Sequence, residues 1–377
     1  MRICYLSNSM IPSRTANSVH VMKMCQAYAQ LGHDVTLVVP DRPQRCESGV
    51  ADFHAFYDVQ PVFDISHVRP RRPGKLWYAG GMTRHALAVA RPEFIHTRNE
   101  WVGWGAGYLA RRPFVLELHE SPTHSYVKTK AVRHAVRGKY SRGVIAITHA
   151  LAKHFSEAIA SDVNVMVEPD AVDQAWLDRA FDQTAIRNDL GLGQETRTVI
   201  TYVGSLHAGR GIELIIRLAE RLSNCCFLIV GGNDDQIERL RGQTNGLNNL
   251  RLLGFAPQKR VPEYLAAADI LLMPYQDGVK SSSGKDTSAY LSPMKMFEYM
   301  SAGRPIVSST LPVLEEILEH ETNALCIAAD CVDSWQSSIQ KLIAEPGYAQ
   351  ALGNRARLDV QRYTWQERAK RILGQAI

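Results

Sequence analysis

Three short stretches bring together side chains that could act on an anion. In "SPMKMFEYMSAGRPIVSS" (292–309) the pattern is that of a helix, with Ser292 as N-cap, Pro293 at the first helical position and Gly303 just past the end. Met294, Met296, Phe297 and Met300 make its body apolar, and Phe297 and Met300 are expected in the core. Lys295 falls in the first turn, where the helix dipole disfavours a cation, and Glu298 follows one turn later. The pair has two readings. Either lysine and glutamate meet at i+3 on a solvated face, or an anion sits at the helix start and takes both the free N–H groups and the lysine.

The second stretch, "VGSLHAGRGIELII" (203–216), ends a strand at Gly204 and opens a helix near Gly211, with Arg210 just before it. Gly204, Ser205, Gly209 and Gly211 are small enough to let a ligand reach the backbone, and the arginine fork suits phosphate oxygens. A tight turn with a surface arginine is the plainer reading. Two helix starts in the same half of the chain, each furnished with a cation, favour a diphosphate. In the third stretch, "LELHESP" (116–122), His119 stands at the carboxyl end of an apolar strand, where it either lines a ligand site or merely bonds its own loop.

Other chemistries lack their signatures. No Gly-x-Gly-x-x-Gly follows a strand, and "GWGAGY" (103–108) has neither the spacing nor the context, which weakens a nicotinamide-dependent dehydrogenase. There is no Gly-x4-Gly-Lys-Ser/Thr loop. No Asp-x-Asp pair occurs to hold a metal on a nucleotide diphosphate, so neutralisation falls to Arg210, Lys295 and helix dipoles, and no metal or cofactor is expected. The seven cysteines (4, 25, 46, 225, 226, 326 and 331) form no Cys-x-x-Cys pair and suggest a reduced, cytoplasmic setting.

The elements that must position these residues alternate along the chain. Strand "RICYLS" is followed by a helix "NSVHVMKMCQAYAQLGH" that Asn17 can cap and Gly32 ends. Strands "DVTLVVP", "EFIHTR", "FVLELH" and "GVIAIT" follow, the first of them nearly continuous in apolar residues, as a buried parallel strand requires. Residues 170–197 are polar and strand-free. The alternation restarts with "TVITYVG", helix "IELIIRLAERL", "CCFLIVGG", helix "DQIERLRGQ", "LRLLGF", helix "VPEYLAAA" and "DILLMPY", and then "RPIVSS", helix "PVLEEILEH", "NALCIA" and closing helices. At 377 residues, this reads as two doubly wound α/β domains in series: 1–172 and 198–359, a linker region at 173–197, and a C-terminal helix (about 360–377) returning to the first. Ligands of such sheets bind at the carboxyl ends of strands, which points to a cleft between the domains.

Charge is uneven. Residues 1–170 hold 21 Lys/Arg against 14 Asp/Glu, whereas the remainder holds 22 against 24. Basic runs lie at 69–75, 109–113 and 127–142. They are either a solubilising surface or an attraction to something anionic, such as a lipid headgroup or a pyrophosphate-linked acceptor. Nucleic acid is disfavoured, because no binding motif or aromatic interleaving accompanies the charge. No stretch has the length of a membrane span, and "MRICYLSNSM" is strand-like rather than a signal peptide.

From "LGHDVTLVVP" to "YTWQERAKRIL" the chain resembles the retaining glycosyltransferases of family 4, with GT-B fold, two Rossmann-like domains facing a central cleft. "SPMKMFEYMSAGRP" is similar to a common form of the family's motif, and "EPDAVD" (168–173) resembles its hinge strand. In "GSLHAGRG" Ser205 replaces one family cation and Arg210 stands where the family lysine meets the diphosphate. The second of the family's two glutamates matches Glu298, a ribose contact; the first matches Tyr290. The family's glycine pair before the first helix corresponds to Ala16 and Asn17. The resemblance implies donor contacts from Asn17, Gly204, Ser205, Arg210, Phe255, Tyr290, Ser292, Met294, Lys295 and Glu298, with His119, Arg210 and Glu298 at the reaction centre. It implies a UDP- or GDP-sugar donor and retention at the anomeric carbon, and the positive balance of the first domain suits a lipid-linked (polyprenyl) or surface-polysaccharide glycan acceptor and peripheral contact with the inner face of an anionic membrane. Rivals are a nucleotide-sugar 2-epimerase of the same fold and a non-catalytic sugar-nucleotide binder, the latter favoured only by Tyr290.

Overall fold

The computed structural model describes residues 1–69, 75–244, 246–280, 284 and 286–377. Most of the basic run at 69–75 therefore lies outside the described residues. The chain divides into two compact units, Met1–Asp170 with Trp365–Ile377, and Ala171–Thr364.

Unit 1 is built on seven strands: β1 (Arg2–Leu6), β2 (Asp34–Pro40), β3 (Asp64–Val68), β4 (Phe94–Thr97), β5 (Phe114–Leu118), β6 (Ser141–Ala146) and β7 (Val165–Val167). All pairings are parallel, in the order β3-β2-β1-β4-β5-β6-β7. Strands β4 and β5 are buried along their whole length, although β4 carries His96 and Thr97 and β5 carries Glu117. Sequence reading missed β3 and β7. The first is an edge strand, "DISHV", mostly polar and only partly buried, and the second has only three residues. The helix Ala16–Gln30 is capped by Thr15, whose side chain accepts from the Ser18 N–H. Asn17, expected as the cap, lies instead in the exposed first turn. Against this helix packs the C-terminal helix Trp365–Ala376, with Trp365 edge-on to His20 at 4.9 Å between ring centres.

Unit 2 repeats the plan with β8 (Thr198–Val203), β9 (Cys225–Val230), β10 (Leu250–Gly254), β11 (Ile270–Met273), β12 (Ile306–Ser309) and β13 (Leu325–Ile327). They are parallel, in the order β10-β9-β8-β11-β12-β13. Residues 173–197, read as a linker, lie inside this unit and carry the short helices Gln174–Asp178 and Gln183–Asp189. "PVLEEILEH" is a series of turns rather than the expected helix. The Asn323 side chain takes the Glu319 N–H at 2.8 Å, giving that backbone a partner outside a helical ladder. The helix Ile212–Arg221 buries Ile212, Leu214, Ile215, Leu218 and Ala219 against the sheet. It starts at Gly211, whose φ of +76° and approach to the Pro274 carbonyl exclude a side chain: a Cβ would lie 1.8 Å from that oxygen.

Candidate active site

In unit 2 the candidate residues gather at the carboxyl end of β8. The helix Met294–Ser301 is anchored there by Tyr299, a fully buried residue whose hydroxyl accepts from the Val203 N–H (2.7 Å) and donates to the Val203 carbonyl (3.1 Å). Pro293, not Ser292, occupies the cap position, with Met294 as the first helical residue, and no side chain caps the start. Ser292 is buried beside it. Phe297 and Met300 are fully buried, as expected of core.

One turn before Tyr299, Lys295 turns inward. Its Nζ lies 3.8 Å from the centre of the Tyr202 ring and so close to the Gly204 backbone that a Cβ there would meet it at 2.3 Å. The solvated i+3 pair with Glu298 is not what forms: Nζ is buried and has neither hydrogen bond nor ion pair among the described residues. Burial, followed by the charge of Arg210, pushes the Lys295 amine well below its ordinary range, against a weaker pull from Glu298. The Arg210 guanidinium stacks 4.7 Å from the centre of the buried Tyr275 ring, and its Nε is also buried without a partner. Two basic groups with unpartnered nitrogens thus share one glycine-lined strand end. Glu298 accepts from Gln258 Nε2 at 3.1 Å. Ser205 is exposed and its carbonyl accepts the Tyr202 hydroxyl at 2.7 Å. Phe255 is 43% exposed after Gly254, and Tyr290 is half-buried at the end of a turn before the helix. Tyr202, Tyr275 and Tyr299 gave no signal in the sequence, since aromatic residues in apolar segments read as core, and Gln258 falls in no motif.

In unit 1 His119 lies just beyond β5, partly exposed, with Nε2 at 2.5 Å from Glu117 Oε1. Glu117 is a buried hub. Oε1 is also 2.9 Å from His20 Nε2, while Oε2 meets His96 Nε2 (2.9 Å) and Arg368 Nη2 (3.1 Å). His20 Nδ1 in turn lies 2.8 Å from Asp170 Oδ1, and Tyr28 Oη 2.8 Å from His96 Nδ1. Burial pushes the His119 ring down to about 4, helped by Arg98, so the imidazole is neutral near pH 7. Burial by itself would raise Glu117, but Arg368 and His20 outweigh it and hold the carboxyl well below its usual range. His20, His119 and Asp170 each bring a ligand atom within 4.8 Å of the others, the spacing of a metal site. Both His20 nitrogens already face carboxylates, and the guanidinium of Arg368 touches Glu117, so the set is better described as an ionic hydrogen-bond network than as a dication site. The sequence clue to it was a glutamate inside the apolar strand "FVLEL", which needs partners to be buried. Asn17 belongs to this unit and joins no part of the network.

Comparison with known proteins gives the family and the fold. Residues 18–175 match "Glycosyltransferase Family 4" and residues 197–345 match "Glycosyl transferases group 1". The chain belongs to the family 4 glycosyltransferases. An uncharacterized glycosyltransferase of Methanocaldococcus jannaschii is 27% identical over 95% of this chain and 93% of its own. D-inositol 3-phosphate glycosyltransferase of Xylanimonas cellulosilytica is 23% identical, covering 94% and 90%. Among solved structures, Anabaena HepE in complex with UDP superposes with a TM-score of 0.76 at 18% identity over 99% of both chains. The fold of this glycosyltransferase is GT-B. Membership makes it a sugar-transferring enzyme, and the epimerase reading is not favoured.

Proposed function

We propose that this glycosyltransferase moves a sugar from a nucleoside diphosphate sugar to an acceptor hydroxyl, with retention and without a divalent metal. The observation that carries the reading is the pair of basic side chains at the end of β8, Lys295 with its Nζ and Arg210 with its Nε buried and without a hydrogen-bond partner among the described residues. Burial and the neighbouring Arg210 make the Lys295 amine hard to charge, and a diphosphate would supply both the negative charge that favours its proton and the hydrogen-bond acceptors that both groups lack. To reach a phosphate, Lys295 swings away from the Tyr202 ring, toward the helix start where N–H groups are uncapped. Arg210 and Lys295 then stabilise the charge that develops on the leaving diphosphate, and that phosphate assists removal of the acceptor proton. Glu298 binds the ribose, and His119 meets the donor sugar. HepE, bound to UDP in its structure, makes UDP the first nucleotide to try.

The test is calorimetry of UDP, GDP, TDP and ADP with EDTA present, on wild type and Arg210→Ala. We expect one diphosphate to bind tightly and to lose about ten- to a hundredfold in the variant, as for a charge-assisted hydrogen bond of roughly 1.5–3 kcal/mol. Binding indifferent to Arg210, or lost in EDTA, refutes the metal-independent phosphate site. Slow hydrolysis of the matching sugar nucleotide without acceptor separates an enzyme from a binder.

The acceptor reading rests on unit 1. Tyr126 (72% exposed) and Val127 (63%) stand at the head of the helix Tyr126–Val136, with Lys130 over the Tyr126 ring at 4.5 Å and Arg133 further along. Exposed aromatic and apolar side chains among cations suit an anionic membrane surface carrying a lipid-linked glycan. Among the described residues no helix is long and apolar enough to cross a membrane. On the charge and exposed side chains of the helix Tyr126–Val136, the proposal puts the enzyme at the inner, cytoplasmic face of the membrane. Co-sedimentation with phosphatidylglycerol vesicles at low salt, weakened in Tyr126→Ser/Lys130→Ala, is the expected result; absence of binding at low salt removes the membrane from the proposal.

A further inference from the structure

Glu117 touches no substrate in the reading above, yet it is among the most heavily satisfied side chains of unit 1. It sits in the middle of the fully buried strand β5, where an isolated carboxylate would be too costly to keep. Its compensating cation, Arg368, is itself fully buried and is delivered by the C-terminal helix, where Nε donates to the Pro169 carbonyl (2.8 Å) and Nη2 to the Glu168 carbonyl (3.0 Å). The charged and titratable groups that face Glu117 come from every element around it: His20 from the first helix, His96 and Arg98 from the end of β4, His119 beyond β5, and Arg368.

The carboxylate fixes where protons reside. Ionised, it can only accept, so the histidine nitrogens bonded to it must carry hydrogen. For His96 this is Nε2, and its Nδ1 is left to accept the Tyr28 hydroxyl. For His119 it is again Nε2, but here Nδ1 has no partner among the described residues and the ring is partly exposed. The two histidines therefore have the same proton arrangement and different remaining valences, one used internally and one open.

We propose that Glu117, held in place by Arg368 of the C-terminal helix, is a positioning residue that locks His119 in the Nε2–H tautomer, so that its Nδ1 lone pair accepts a hydrogen bond from a hydroxyl of the bound sugar. This rests on the reading that His119 meets the sugar. It makes the C-terminal helix a support of the reaction centre rather than a mere closing element, and it fixes the ligand group opposite His119 as a hydrogen-bond donor.

The test separates the tautomer from the sugar contact. Long-range proton–nitrogen NMR of the wild-type chain without ligand, with His119 assigned by its loss in His119→Gln, should show Nε2 protonated and Nδ1 bare. In Glu117→Gln the amide can donate to Nε2, so the signature should shift toward Nδ1–H. Hydrolysis across a panel of UDP-, GDP-, TDP- and ADP-glucose should lose about ten- to a hundredfold in kcat, while the matching diphosphate binds as before. Glu117→Asp should recover part of both. A wild-type His119 protonated on Nδ1, or a Glu117→Gln variant with tautomer and kcat unchanged, overturns the proposal. If the single variant does not fold, the neutral pair Glu117→Gln/Arg368→Gln replaces it, with the same two readouts. His119→Gln turning over normally overturns the sugar contact itself, a failure distinguishable from the first because the tautomer is read without substrate.

Discussion

At the scale of single residues, the candidate donor site depends on an absent side chain as much as on those present. Gly204 leaves just enough room for Lys295 Nζ, which a Cβ would approach to 2.3 Å. In Gly204→Ala the flexible end of the lysine can move aside, but the φ of +152° is one that side chains rarely adopt, so the variant should fold with a lowered thermal midpoint. The added methyl would occupy the space a phosphate needs beside the backbone. We expect diphosphate affinity to drop about tenfold or more, measured by the same calorimetry. Unchanged affinity would mean that the ligand does not approach Gly204. The sequence marked this glycine and both cations by type and spacing. It did not say that Lys295 points inward, because a first-turn lysine with a glutamate at i+3 fits a solvated face equally well.

At the scale of elements, one hydroxyl ties the helix Met294–Ser301 to the end of β8. Tyr299→Phe keeps the ring and removes both bonds to Val203, leaving its buried N–H and carbonyl each short of a partner. The cost should be about 1–3 kcal/mol of unfolding free energy, read in a urea titration. Diphosphate binding should weaken as well, since Lys295 lies one turn away on the same helix. A loss of stability with binding untouched would show that the anchor does not position the lysine. The helix and strand were both legible from apolar periodicity, and even the helix start fell within one residue of its place. The anchor was not, because a tyrosine inside a mostly apolar segment reads simply as core. The same blindness hid β3, whose polar edge residues carry no burial signal, and turned "PVLEEILEH" into a helix on periodicity alone, although its backbone closes in separate turns.

At the scale of the whole molecule, acid should weaken unit 1 more, because burial depresses both His96 and His119 there, against His207 in unit 2. The folded His119 titrates at about 4, against about 6.5 for a free imidazole, so the neutral ring is favoured by folding. Between those values the unfolded chain binds more protons, and stability falls as the pH drops through that window. Glu117 and Asp170, both held below their ordinary ranges, add stability that is present above the unfolded carboxylate range and lost as the pH falls through their folded values. Hydrogen exchange at neutral pH and at about pH 5 should therefore show protection lost first in β4 and β5 of unit 1; equal losses in β8 and β9 would contradict it. By itself the sequence determined the central strands, the doubly wound plan, the family and the two basic residues of the proposed diphosphate site. Each of these is written in local periodicity, in a residue type at a strand end, or in a contiguous motif. Only the tertiary structure decided that residues 20, 96, 117, 119, 170 and 368 share one buried charge network. Their separations along the chain follow from crossover connections and a returning helix, and no local pattern encodes which buried charge will find which partner.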